Sequence, residues 1–304
     1  MTIKLLERKS MALNYTINQH YVPQFVLRNF VGDKGKLGVA DVAGKSFRFW
    51  NAQPDKIFFK KDLYESQNLD GTYFERNAVE SYLSKLEGQI SSCFATFQST
   101  VEQKECISGE DRMSIALFLA MQAARNPWIS DAINSILLPD VDGDERRKAF
   151  SNSCMLFNLL PPDMLYRYLD CNNISMSEKE KAQMPPNTAI LGLLNDYVFN
   201  SFMFIIVAEK GASFYLSDNT PLNCRYEDCR LLIPISPSLA VGCCPAKAAK
   251  QSHKNGIVRL PKSKIDLVNS NIIKNAKRFI VFAYYDLERA KQDVLRCRIR
   301  TLNY

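Results

Sequence analysis

The residues with the clearest capacity for acid–base chemistry lie near the start of the chain, in the segment NQHYVPQFVLRNF at positions 18–30. This segment places His20, Gln24 and Arg28 among aromatic and aliphatic residues. His20 is one of two histidines in the chain, and imidazole is the side chain that most readily exchanges a proton near neutral pH. His20 is therefore a candidate general base. The alternative is a partly buried ring that hydrogen-bonds to its own segment.

Two carboxylates, Glu80 and Glu87, are seven residues apart in a segment with helical spacing, so both point the same way from the helix. Carboxylate oxygens are hard ligands for a divalent cation such as Mg²⁺ or Mn²⁺, and Asp218 could add a third from a turn at a strand end. Such an ion activates water for phosphodiester hydrolysis. The alternative is a solvated helix face on which Glu80 pairs with Arg76 or Ser84 one turn away.

Two further polar positions stand where apolar segments end. Asp218 and Asn219 lie between the apolar segment 214–216 and Pro221, a pattern typical of an Asx turn, although a carboxylate at a strand end can also be catalytic. Arg125 ends an otherwise apolar helical segment at 113–125. We expect this guanidinium to be paired, either with Glu80 or Glu87 in a structural role or with a phosphate in a functional one.

The elements that would position these residues follow from the periodicity of apolar side chains. Helical spacing covers 73–97, where Ala78, Tyr82, Leu86 and Ile90 fall every four residues on one predicted buried face. The helix at 113–125 is preceded by Ser108 and Asp111, a capping-box pattern. Strand-like segments occur at 36–40 and 46–50, return after residue 201, and include a last strand at 294–299. The sequence predicts an α+β fold in which a central all-helical block (about 73–200) packs against a mixed or antiparallel β-sheet built from the N- and C-terminal segments.

Composition limits the class of protein. The 304 residues are 46% hydrophobic and 23% charged, which excludes a disordered chain and a membrane-embedded one, and no segment predicts a transmembrane span. Nine irregularly spaced cysteines favour reduced thiols and a cytoplasmic location. The net charge of +7 permits a nucleic-acid partner but also describes a solvated basic surface. We expect a flexible lead-in at 1–13 and a single domain over 14–304, with its β-rich part at about 201–304.

Several segments together resemble a known family. The signature HYVPQ-x-x-LRNF is similar to the opening of bacterial proteins of the domain-of-unknown-function 4238 family, and the resemblance extends through VESYLSKLEG, MQAARNP, SDNTP, LIPISP and VNSNIIKNAKRF. These segments are collinear over roughly 14–285, although the family itself has no assigned activity. The polar positions that the resemblance marks are His20, Gln24, Arg28, Glu80, Glu87, Gln122, Arg125, Ser217, Asp218 and Asn269.

Two hypotheses follow, and no Walker loop, G-x-G-x-x-G, H-E-x-x-H or G-x-S-x-G motif competes with them. The first is a metal-assisted, nuclease-like phosphodiester hydrolase acting on RNA or DNA, with a bacterial defence or toxin-type setting as the expected context. The second is a non-catalytic nucleic-acid or protein-binding module whose polar positions form a structural network pinning the HYVPQ segment to the helices. The first hypothesis assigns catalysis to His20, Gln24, Arg125 and Asp218, metal binding to Glu80, Glu87 and Asp218, and substrate binding to Arg28, Gln122, Ser217, Asn219 and Asn269.

Overall fold

Helices occupy the middle of the chain and strands lie on both sides of it, as the α+β prediction requires. The computed structural model describes residues 15–32, 34–44, 46–128, 143–178, 189–221, 229 and 231–302, so the predicted lead-in at 1–13 lies outside the described residues. The helices α1 to α9 span Gln24–Arg28, Ala78–Thr100, Gly109–Arg125, Asp144–Leu159, Pro162–Cys171, Ala189–Asn200, Gln251–Asn255, Lys262–Asn275 and Leu287–Leu302. The strands β1 to β12 span Asn18–His20, Leu37–Asp41, Arg48–Ala52, Phe59–Lys61, Ser66–Gln67, Tyr73–Phe74, Ser201–Ala208, Leu216–Ser217, Leu231–Pro234, Leu239–Pro245, Ile257–Leu260 and Phe279–Phe282.

Two four-stranded sheets replace the one sheet that the sequence predicted. The first has the antiparallel order β3-β2-β12-β8, and it joins the two ends of the chain because Val39 of β2 pairs with Val281 of β12. The second has the order β11-β7-β10-β9 and comes entirely from the C-terminal part; it is mixed because β11 runs parallel to β7. The short strand β1 pairs with β4, which sets His20 opposite Phe59.

The helix that carries Glu80 and Glu87 begins at Ala78, after β6, and buries a different stripe from the one its spacing predicted. The sequence favoured a face through Ala78, Tyr82, Leu86 and Ile90, but the buried residues are Val79, Leu83, Ile90, Phe94 and Phe97. The predicted stripe therefore lies to one side of the real one and shares only Ile90 with it. Glu80 and Glu87 therefore lie at the margin of the buried face, where one side of each carboxylate can contact buried residues.

The next helix, α3, starts with the capping box that the sequence predicted. The hydroxyl of Ser108 accepts a hydrogen bond from the backbone N–H of Asp111 at 3.0 Å, and the Asp111 carboxylate accepts one from the N–H of Ser108 at 2.9 Å. Its remaining turns are largely buried, down to Arg125 at the last position. A well-capped, buried helix is a rigid support for the guanidinium at its end.

The strand predicted at 294–299 is wrong, because these residues belong to α9. Ala290, Val294 and Cys297 are buried, and their spacing of four and three residues is helical rather than alternating. These side chains pack in a second core cluster with α8, while the larger cluster contains α2 and α3, and both four-stranded sheets contribute residues to each cluster. None of the helices in the described ranges is long and apolar enough to cross a bilayer.

Candidate active site

One cleft brings together six of the residues that the sequence singled out. It has a volume of about 280 Å³, which is at the small end for a ligand site. Gln24 and Arg28 lie on α1, and the carboxylates and serines of the cleft lie on α2. His20, at the end of β1, and Arg125, at the end of α3, complete the lining. The full lining is His20, Gln24, Phe25, Arg28, Glu80, Ser84, Glu87, Gly88, Ser91 and Arg125.

Arg125 forms the floor of this cleft and is only 2% exposed. Its guanidinium donates to the hydroxyl of Tyr64 at 3.0 Å, to the carboxylate of Glu87 at 2.5 Å and to the backbone carbonyl of His20. Burial acts to lower the pKa of Arg125, but Tyr64 and Glu87 outweigh it and raise the pKa above its usual value. Arg125 therefore stays positively charged beneath the cleft with Glu87 as its counter-charge, and the predicted pairing of Arg125 with a glutamate is confirmed for Glu87.

The same interactions fix the position of the N-terminal segment. The Tyr64 hydroxyl also donates to the carbonyl of His20 at 2.7 Å, and Gln122 donates to the carbonyl of Tyr21 at 2.6 Å. Because three side chains from the helical block and the preceding loop hold two consecutive carbonyls, the segment around His20 cannot shift without breaking buried hydrogen bonds.

His20 is held as a neutral imidazole. Burial and, second to it, the nearby charge of Arg125 together lower the pKa of its ring to about 4. Arg28 donates to the amide oxygen of Gln24 at 3.0 Å, which turns the amide nitrogen of Gln24 toward Nδ1 of His20 at 3.4 Å. This arrangement assigns the ring proton to Nε2, which makes no direct hydrogen bond, and leaves a lone pair on Nδ1. That lone pair accepts the Gln24 N–H, so Nδ1 can take a proton only when this long contact opens.

Glu80 has an unusual environment for a carboxylate. Its Oε2 atom is buried and makes no hydrogen bond. Burial raises the pKa of Glu80, Arg125 partly offsets this effect, and the neighbouring Glu87 adds to it. The alternative in which Glu80 pairs with Arg76 is wrong, because Arg76 pairs with Asp62 at 2.8 Å. A buried carboxylate oxygen with no donor is the kind of atom that a cation or a ligand hydroxyl would satisfy.

Asp218 does not line this cleft, which corrects its predicted placement. It follows β8 and is 1% exposed, and its carboxylate accepts three backbone N–H groups, from Lys277 at 2.9 Å, Arg278 at 2.7 Å and Phe279 at 3.0 Å. Both oxygens anchor the start of β12. The described residues contain no group of three or more His, Cys, Asp or Glu side chains arranged to hold a metal ion, so a metal here would use fewer protein ligands than the sequence predicted.

The remaining predicted substrate-binding residues lie outside the cleft, and three of them, Gln122, Asn219 and Asn269, bind the protein itself. Asn269 accepts from the N–H of Tyr215 at 2.9 Å and donates to the carbonyl of Ser213 at 2.8 Å, and Asn219 donates to the carbonyl of Asn275 at 2.9 Å. Gln122 holds the Tyr21 carbonyl. Ser217 is buried in β8.

Three polar residues that the sequence analysis did not assign to the site belong to the cleft or support it: Ser84, Ser91 and Tyr64. Ser84 and Ser91 line it because they follow Glu80 and Glu87 by four residues each, and that helical spacing was a usable signal. Tyr64 lies in the loop after β4, where no pattern in the sequence pointed to it.

Comparison with known proteins identifies the family. A family model described as "Protein of unknown function (DUF4238)" matches residues 18–285, so the chain belongs to that family, as the HYVPQ-x-x-LRNF resemblance indicated. No curated protein and no solved structure matches the chain.

Proposed function

We propose that this protein is a metal-assisted phosphodiester hydrolase, a nuclease acting on RNA or DNA, and that the cleft around Arg125 is its active site. The observation that carries the proposal is the buried Oε2 atom of Glu80, which has no hydrogen-bond donor although it lies in a cleft with a neutral histidine and a buried cation. A group that is costly to bury and unused by the fold is typical of a functional site. A bacterial cytoplasm, and a defence or toxin-type role, belong to this proposal.

A single Mg²⁺ or Mn²⁺ fits the carboxylates present. Mg²⁺ keeps several waters and is commonly bound by one or two carboxylates together with substrate phosphate oxygens, so a full set of protein ligands is unnecessary. Glu80 would hold the ion through its unpaired oxygen, and Glu87 through whichever oxygen its contact with Arg125 leaves accessible. When bound, such an ion polarises the phosphate and lowers the pKa of water.

The chain's own residues would bind the phosphate and move the proton. Arg28 is exposed at the rim and can bind a phosphate, whereas Arg125 adds positive charge from below. The oxygen of water forms the new bond to phosphorus while the bond from phosphorus to the leaving sugar oxygen breaks. The 3.4 Å contact from the Gln24 amide to Nδ1 of His20 opens, and Nδ1 then takes the proton that water loses and returns it to that sugar oxygen. Gln24 holds the ring in the tautomer that this transfer requires.

The test is cleavage of labelled RNA and DNA by the full chain with Mg²⁺ or Mn²⁺. Glu80→Gln preserves size and removes the charge, and we expect it to reduce cleavage by about 100-fold or more. Glu105→Gln is the matched control, because Glu105 is an exposed glutamate outside the cleft and its loss should leave the rate unchanged. Equal cleavage by the wild type and by a Glu80→Gln/Glu87→Gln double variant would remove the proposal.

A second candidate is a non-catalytic nucleic-acid or protein-binding module in which the same residues stabilise the fold. The observation that favours it is the set of buried bonds from Arg125, Tyr64 and Gln122 to the carbonyls of His20 and Tyr21. This candidate predicts no cleavage by the wild type and unchanged ligand binding by Glu80→Gln. Retained binding together with undetectable cleavage by the wild type would favour this module over the hydrolase.

A further inference from the structure

A second feature, on the first sheet and apart from the cleft, combines aromatic rings with exposed arginines. Arg48 and Trp50 lie two residues apart on β3, so both side chains point to the same side of the sheet. The pairing of three strands sets Arg48, Asp41 and Phe279 side by side in one row. Trp50 packs edge-on against Phe279, with ring centroids 6.1 Å apart, and the guanidinium of Arg278 lies over the Phe279 ring at 4.6 Å.

These side chains line a groove of about 500 Å³ formed by Asp41, Arg48, Phe49, Trp50, Arg278 and Phe279. The Arg48 and Arg278 side chains are 76% and 56% exposed, and both contact the buried carboxylate of Asp41, at 3.6 and 3.2 Å. Two guanidinium groups therefore share one carboxylate, so the groove has a net positive charge. Trp50 is 37% exposed, which leaves part of its ring available to a ligand.

The positive, aromatic character continues beyond the groove. Lys277 directly precedes Arg278, and its ammonium lies 6.0 Å from the centre of the Trp128 ring. Lys60 lies over the same ring at 4.8 Å. Lys277 contacts Trp128 and Phe279, two residues later, contacts Trp50, so the segment 277–279 links the two tryptophans of the chain. We call the surface formed by these residues the basic–aromatic face: Arg48, Trp50, Lys60, Trp128, Lys277, Arg278 and Phe279.

We propose that the basic–aromatic face binds single-stranded nucleic acid. Partly exposed rings beside cations are what an unpaired strand requires, because its bases can stack on aromatic side chains while Arg and Lys neutralise the phosphates. A duplex fits this face less well, since its bases already stack on one another. Binding here does not require hydrolysis. The further assignment of single strands as the substrate of the cleft rests on the proposed function.

Binding is measured by fluorescence anisotropy of labelled dT12 and rU12 with the full chain, in EDTA so that no metal-dependent cleavage occurs. Tryptophan emission gives an independent signal, because Trp50 and Trp128 both belong to this face. We expect Trp50→Leu to weaken binding about tenfold through loss of one stacked base. Arg48→Gln should weaken binding and flatten the dependence of log K on log salt by about 0.7, the slope for one phosphate on a single strand.

The matched control is Arg296→Gln, which removes an exposed guanidinium on α9, outside the face. Unchanged affinity in Trp50→Leu and Arg48→Gln, each with an unaltered melting temperature, would overturn the proposal, as would tighter binding of a 12-base-pair duplex or of a poly-glutamate peptide. Comparison of dT12 with rU12 shows whether DNA or RNA is the partner. The two proposals can fail separately. If the wild type cleaves nucleic acid but Trp50→Leu and Arg48→Gln bind single strands as tightly as the wild type does, the basic–aromatic face is rejected and the hydrolase is not. If the wild type binds single strands at this face but does not cleave them, the hydrolase is rejected and the face is not.

Discussion

Replacement of Arg125 by leucine tests how strongly the floor of the cleft holds the fold. Removal of one partner from a buried ion pair typically costs about 3–5 kcal/mol. Here the cost should lie near 3 kcal/mol, because the His20 carbonyl keeps the Tyr64 hydroxyl as a donor and the Glu87 side chain, 23% exposed, can be partly hydrated. With an unfolding entropy of about 0.6 kcal/mol/K for 304 residues, the melting temperature should fall by about 5 °C.

The assay is urea and thermal unfolding of the wild type, Arg125→Leu, and an Arg125→Leu/Glu87→Leu double variant. Because the double variant no longer leaves an unpaired carboxylate, we expect it to be less destabilised than the sum of its two single variants. The control is Arg296→Leu, which removes an exposed guanidinium and should change the free energy of unfolding by less than about 0.5 kcal/mol. An Arg125→Leu protein as stable as the wild type, or strictly additive effects, would refute this reasoning.

Four further predictions concern individual side chains. The pKa of His20 is lowered to about 4 in the folded protein, so the unfolded chain binds more protons below pH 6.5. The free energy of unfolding, measured with urea, should therefore fall by up to about 2 kcal/mol between pH 6.5 and pH 5, and the fall should be smaller in His20→Gln. Glu80 has a raised pKa, so its ionisation opposes folding as pH rises through its folded pKa, and Glu80→Gln should be more stable than the wild type at pH 7; a loss of stability would contradict this. Asp218→Asn turns an amide N–H₂ toward backbone N–H groups, so it should lower the free energy of unfolding by about 2 kcal/mol or more without changing cleavage per folded molecule. Loss of cleavage at wild-type stability would instead place Asp218 in the active site. Ser108→Ala removes the cap of α3 and should cost about 1 kcal/mol in thermal unfolding, and no change would argue against the capping box.

The parts of the cleft that the sequence predicted correctly depend on local geometry. Gln24 and Arg28 are one helical turn apart, and Glu80 and Glu87 are two turns apart, so each pair shares a face whatever the rest of the fold does. Arg125 was predicted to be paired because a charge at the end of an apolar helix must be compensated when buried. The sequence could not show that the partner would be Glu87 rather than Glu80, since that choice depends on how α2 and α3 pack.

The incorrect predictions share a dependence on long-range packing. Asp218 matched both an Asx turn and a catalytic carboxylate, and its three backbone donors come from residues about 60 positions later, which no local pattern indicates. The row of Arg48, Asp41 and Phe279 exists only because β2 pairs with β12 across some 240 residues. The segment 294–299 is β-branched and apolar enough to resemble a strand, but its buried positions are three and four residues apart along α9.

A Mg²⁺ titration of single-strand cleavage, with the wild type and Glu80→Gln prepared in parallel, tests the proposed active site most directly. We predict that the wild-type rate rises with Mg²⁺ to a plateau and that Glu80→Gln shows no such rise while remaining folded and bound to the strand. Equal rates in the two proteins at every Mg²⁺ concentration, or no cleavage by either, would contradict the assignment of this cleft to phosphodiester hydrolysis.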